Sequence, residues 1–324
     1  MSERKYLISA VQVFCFVFCH LLSGMILYAR GSTVAALFAS LFCACVSVAA
    51  AALCENFYSS RSFYAAAFGA LGAPMRLISA ALTSYSLVNT LRSFSEEADV
   101  FYGGSARASV LVIALLLATV FAVRSFAAPA RFAELCVFPL LAAVLVSLTG
   151  GGGEGLSFAF SDDLLFVGFD IIGSAPVIFS LFMRSTGEKS EKMSVGAQNS
   201  AFRPSTLVCG IFAAAASLIF YAFFRLSEGR NIMLSFFLWF AALSRISAHA
   251  VALYDLSGLP ESTGARQKAG SLIAAAAVFA FSVLASGLFH EAAKTAAVFA
   301  NVIFPCAVFA ACVPRRRSAE KTSV

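Results

Sequence analysis

The sequence predicts an all-α polytopic membrane protein of about ten transmembrane helices, built as two inverted halves of five. Three observations predict it. Hydrophobic residues make up 60% of the 324 and charged residues only 12%, against roughly 25% charged in a soluble domain. Apolar runs recur at the length a bilayer demands, about 20 residues at about 1.5 Å each. The first run of each half is interrupted near its middle by a Gly/Ser pair, the sequence signature of a discontinuous helix.

Taken in order, the runs fall at about 7–29, 32–54, 73–93, 107–126, 131–149, 163–183, 205–225, 231–254, 269–289 and 292–313. The run after Arg4-Lys5 outlasts the about 7–15 apolar residues of a signal peptide, so it is expected to stay as a spanning helix. Arg61–Leu71 is too short to cross and reads as an interfacial linker helix. The polar connection Ser185–Pro204 reads as a solvated loop. Residues 1–314 thus form a single transmembrane domain with halves of about 1–150 and 156–314, followed by a basic tail over 315–324.

Charge sets the orientation. With both termini cytoplasmic, sixteen of the 23 basic residues fall inside, six fall outside, and Arg245 lies within a span. The net charge of +6 therefore reads as an inward bias toward the lipid bilayer, with Arg315-Arg316-Arg317 on anionic lipid, and no nucleic acid is expected as a partner. Thr149-Gly-Gly-Gly-Gly-Glu154-Gly155 lacks the Lys-Ser/Thr ending of a phosphate loop. Most of the nine cysteines sit inside apolar runs without a Cys-x-x-Cys pair, so small buried hydrophobes are expected and no metal or disulfide framework. His20 beside Cys19 and Cys15 is only a weak metal hint. No catalytic constellation or cofactor motif is present in the sequence, which speaks against an enzyme.

The candidate site follows from the two interruptions. Span 1 carries His20-Leu-Leu-Ser23-Gly24-Met25, and span 6 carries Asp170-Ile-Ile-Gly173-Ser174-Ala175-Pro176. A severed helix offers unpaired N–H groups from one half and unpaired C=O groups from the other. The N–H end suits a carboxylate, and the C=O end with Asp170 suits an ammonium, so a zwitterionic amino acid is the expected ligand. Tyr85 in span 3 is a candidate lid, with core packing as the alternative. Arg245 in span 8 needs a partner, for which Asp170 is a candidate. Glu134 pairs at i, i+3 with Arg131 or serves proton coupling.

Several motifs bear a family likeness. Leu7-Ile8-Ser9-Ala10-Val11-Gln12 is similar to an Ile-Ser/Thr-x-x-Gln opening, and Ser23-Gly24 follows at the matching distance. Leu91-Arg92-Ser93-Phe94 with Glu96 and Glu97 closes span 3, and Arg131-Phe-Ala-Glu134-Leu precedes Pro139 in span 5. In these the chain resembles the B-subunit family of spore germinant receptors, endospore germination permeases of the amino acid–polyamine–organocation superfamily. The resemblance implies an inverted repeat with broken helices 1 and 6 around a mid-membrane nutrient site. It also implies the spore inner membrane or bacterial cytoplasmic membrane as location, and germinant receptor A and C subunits as partners. A nutrient sensor for an amino acid or other small nutrient is the first functional expectation, and an amino-acid or amine transporter is the alternative.

Overall fold

An α-helix satisfies its backbone polar groups within its own segment. The computed structural model describes residues 8–28, 60–102, 127–147, 204–226 and 232–257, with isolated positions 45, 48, 49, 177, 178, 181, 303, 306 and 307. The regular elements described are all helices. They are α1 (Ala10–Tyr28), α2 (Ser60–Phe68) with a 3₁₀ turn at Gly69–Leu71, α3 (Gly72–Tyr102), α4 (Ala127–Ser147), α5 (Pro204–Leu226) and α6 (Ile232–Ser257). Spans 1, 3, 5, 7 and 8 therefore coincide with helices, and the linker helix is α2. The arrangement of ten helices into inverted halves lies largely outside the described residues. Among the described residues, no helix is long and apolar enough to cross a membrane.

The start of α1 is set by a reciprocal cap. Ser9 Oγ accepts from the Gln12 N–H at 3.2 Å, and the Ser9 N–H donates to Gln12 Oε1 at 3.1 Å. Two of the otherwise orphaned donors at the helix entrance are satisfied this way.

From there α1 runs unbroken through Ser23 and Gly24 to Tyr28, which corrects the expectation of a break at this pair. One glycine costs a helix only about 1 kcal/mol. The Ser23 hydroxyl is satisfied locally, donating to the His20 carbonyl at 3.1 Å, and both residues are buried. Nothing forces the helix open there. The second expected interruption, Gly173–Pro176, lies outside the described residues.

Two glycines shape the corner between α2 and α3. Gly69 has φ +58°, a conformation glycine adopts without a Cβ penalty. A Cβ on Gly72 would sit 2.6 Å from the Tyr64 carbonyl oxygen. The Tyr64 hydroxyl then reaches Ser79 Oγ at 2.7 Å, tying α2 to α3. In α4, Pro139 is accommodated within the helix, so its missing N–H leaves the Leu135 carbonyl without its intrahelical donor.

Packing centres on two helices. α1 packs against α5, α4 and α6, and α6 packs against α3, α4 and α1. Among the described residues the core is mainly apolar, with Phe16, Phe18, Phe63 and Leu140 buried, yet it also encloses polar groups while several large apolar side chains face outward. Arg245, His20, His249, Ser86 and Thr90 are buried, whereas Leu135 is 73% exposed, Phe138 74% and Phe212 65%. Exposed Leu135, Phe138 and Leu145 recur at helical spacing on α4, as do Val208, Ile211, Phe212 and Ile219 on α5.

A candidate ligand site between α1, α3 and α6

Polar side chains at one-turn spacing share a helix face. On α3, Ser86 and Thr90 form such a pair; on α6, so do Arg245 and His249. These faces meet α1 at His20 and Ser23, and all six residues are buried.

Arg245, fully buried, bridges the three helices. Its Nε donates to Thr90 Oγ1 at 3.2 Å on α3, and its Nη1 donates to the His20 carbonyl at 2.7 Å on α1. The His20 carbonyl thus receives both the guanidinium and the Ser23 hydroxyl. Thr90 in turn donates to the Ser86 carbonyl at 2.8 Å. Burying a charge in apolar surroundings is expensive, about 2.5–3.5 kcal/mol for arginine at a bilayer centre on insertion scales. Charge-assisted hydrogen bonds of about 1.5–3 kcal/mol each offset that cost.

His249 lies one turn along α6. Its Nδ1 is 2.7 Å from the Arg245 carbonyl, and its Nε2 is 2.9 Å from Ser86 Oγ. The His20 and His249 rings stand 5.3 Å apart between centroids, tilted by 31°. Phe16 stacks on His20 with 5.7 Å between centroids. An always-charged guanidinium, two imidazoles and three hydroxyls are thereby gathered at one point. Of this set the guanidinium is the group that recognises a carboxylate, with two parallel hydrogen bonds, whereas the Ser23 and Thr90 hydroxyls already donate to helix carbonyls.

A second polar contact joins α1 to α4. The Gln12 amide donates to Glu134 Oε2 at 3.1 Å, so the cap of α1 and the Arg-x-x-Glu segment of α4 meet directly. Arg131, one turn earlier, is exposed. Nearby, the Cys19 thiol faces the Ala133 carbonyl at 3.6 Å. The described cysteines are free thiols, and Cys15, Cys19 and Cys136 are buried. Among the described residues, no group of three or more metal-ligating side chains is assembled.

Of the residues singled out from sequence, Arg245 lies at the α1–α3–α6 junction with Ser23, which shares the His20 carbonyl with it, and Gly24 is buried on α1 next to Ser23. Glu134 stands apart at the α1–α4 contact. Tyr85 belongs to α3, but its side chain lies outside the described residues, as do Asp170, Gly173, Ser174, Ala175 and Pro176. Arg245 finds its described partners in the neutral oxygens of Thr90 and His20. Sequence reasoning placed Ser86 beside Tyr85 on the inner side of span 3 and His249 near Arg245 without giving either a role, and it missed Thr90 and the part played by the His20 carbonyl. The available signal was the recurrence of polar pairs four apart, Ser86 with Thr90 and Arg245 with His249, in otherwise apolar spans.

No family model matches the chain, and no curated protein matches it.

Proposed function

We propose that the chain is an integral membrane protein that senses a small nutrient, an amino acid or a related carboxylate, at the α1–α3–α6 junction. The exposed apolar stripes on α4 and α5, with buried Arg245 and hydroxyl groups inside the bundle, support membrane residence. The observation that carries the ligand reading is the fully buried Arg245, shared among three helices by hydroxyl and carbonyl oxygens. An ionisable group so placed marks a functional site by default.

The unbroken course of α1 moves carboxylate recognition from bare peptide N–H groups to the guanidinium. The resemblance to germinant receptor B subunits supports a sensor in the spore inner or bacterial cytoplasmic membrane, acting with A and C subunits. The proposal requires no cofactor.

A thermal-shift screen of twenty amino acids on the detergent-solubilised chain tests the reading. A ligand at a hundredfold excess over its Kd stabilises by about 2.7 kcal/mol. At least one amino acid should raise Tm in the wild type, and Arg245→Gln should abolish that rise. A screen with no shift, or a shift that survives Arg245→Gln, overturns the reading. Concentrative uptake into proteoliposomes would make the protein a carrier rather than a sensor, and co-purification of two further subunits would favour the receptor.

A further inference from the structure

Helical serines and threonines ordinarily rest their hydroxyls on the carbonyl one turn back. Along α3, Ser79, Thr83, Ser84 and Thr90 all do so, at 2.9, 2.7, 2.9 and 2.8 Å. Ser86 also meets a ring on another helix, its Oγ lying 2.9 Å from His249 Nε2. The opposite nitrogen, Nδ1, faces the Arg245 carbonyl at 2.7 Å. A carbonyl only accepts, so Nδ1 carries the hydrogen. In the neutral ring Nε2 is then a lone pair, and Ser86 donates to it.

We propose that His249 and Ser86 form a proton-binding site at the junction of α1, α3 and α6. The ligand is a proton delivered by hydronium, which leaves as water. The proton forms a bond to the Nε2 lone pair, and Ser86 Oγ turns from donor to acceptor. The serine hydrogen turns to the Leu82 carbonyl one turn back, the same kind of acceptor its neighbours on α3 already use. The hydrogen bond between the two side chains is kept with its polarity reversed, and no electrons are transferred.

The surrounding groups shape what accompanies the proton. α6 brings Arg245, with Tyr254 and Asp255 nearer its end, and α1 brings His20, Cys15 and Cys19. α4 brings Arg131, Glu134 and Cys136, α5 brings Cys209 and Tyr221, and α3 brings Arg76 among its described side chains. With the Arg245 guanidinium one turn from His249, a second positive charge calls for a companion anion. A carboxylate at Arg245 and a proton at His249 therefore load together, each raising the affinity for the other. That coupling rests on the ligand reading above, whereas the proton site does not.

The test uses the full chain in lipid nanodiscs with ¹⁵N-labelled histidine and no amino acid added. The chain has three histidines, His20, His249 and His290, so His20→Gln and His249→Gln assign the signals. As the pH is lowered, the His249 signal should pass from the neutral Nδ1–H form to the doubly protonated form while circular dichroism stays unchanged. In Ser86→Ala the ratio of doubly protonated to neutral ring at a fixed pH should fall about tenfold, the difference between a hydrogen bond to the charged ring and one to the neutral ring. A His249 ring that stays neutral at every pH where the chain remains helical overturns the proposal. So does a titration that Ser86→Ala leaves unmoved; the wild-type titration alone decides the matter if that variant does not fold. A failed amino-acid screen leaves this result standing, and the converse holds.

Discussion

Thr90→Val, set against Thr83→Val, isolates the cross-helix bond that holds Arg245. Both threonines are fully buried on α3, and both donate to the carbonyl one turn back, at 2.8 and 2.7 Å. Both substitutions exchange a hydroxyl for a methyl of nearly the same size. Each loses one back-bond, and each gains a buried methyl of about 0.8 kcal/mol. The Thr83 change should therefore fall within about 1 kcal/mol of zero. Thr90→Val additionally removes the acceptor for Arg245 Nε at 3.2 Å. A charged donor in a buried site loses about 1.5–3 kcal/mol with its partner, so the two variants should differ by that amount. Unfolding in mixed micelles can be followed through Trp239, the single tryptophan, whose ring meets Phe94 of α3 at 5.0 Å and 65°. Equal stabilities within about 0.5 kcal/mol would refute the claim that Thr90 carries the guanidinium.

Other substitutions probe separate parts of the argument. Gly72→Ala should cost more than about 2 kcal/mol, because its Cβ meets the Tyr64 carbonyl, whereas Gly69→Ala should cost about 1 kcal/mol through its positive φ; thermal melts in detergent rank the two. Gln12→Ala removes both half of the α1 cap and the hydrogen bond to Glu134. It should destabilise by about 1–2 kcal/mol and open the α1 entrance to limited proteolysis, whereas Val11→Ala, at an exposed position, should do neither. Phe138→Glu places a charge on the outward stripe of α4. It should leave detergent stability within about 1 kcal/mol of wild type but reduce the membrane-inserted fraction severalfold, read by carbonate extraction. Unchanged insertion would argue that this face does not meet lipid.

Among the described residues, the helices were legible where an apolar run was sustained. The run at 205–225 became Pro204–Leu226, and that at 131–149 became Ala127–Ser147. Span 3 was underestimated, since the acidic stretch after Leu91 lowered its hydropathy while α3 continued to Tyr102. The Ser9–Gln12 motif was noticed as a likeness, and the folded chain gives it a mechanical reason as a cap joined to Glu134. Ser23-Gly24 was read as a break because a Gly/Ser pair recurs in the first span of each half, yet a buried helix with its serine satisfied locally tolerates the pair.

Hydropathy adds up residue by residue along the chain, so the amino-acid order was enough to place helices and to mark Arg245 as anomalous. Which oxygens accept its hydrogen bonds was not readable from that order. His20 lies 225 positions from Arg245, and Ser86 lies 163 from His249. The pairing of buried polar groups is a non-local choice, made only when α1, α3 and α6 close on one another and shut water out. Once water is excluded, each donor must find an acceptor within about 3 Å, and the folded arrangement gave Arg245 the oxygens of His20 and Thr90 and gave Ser86 the ring of His249.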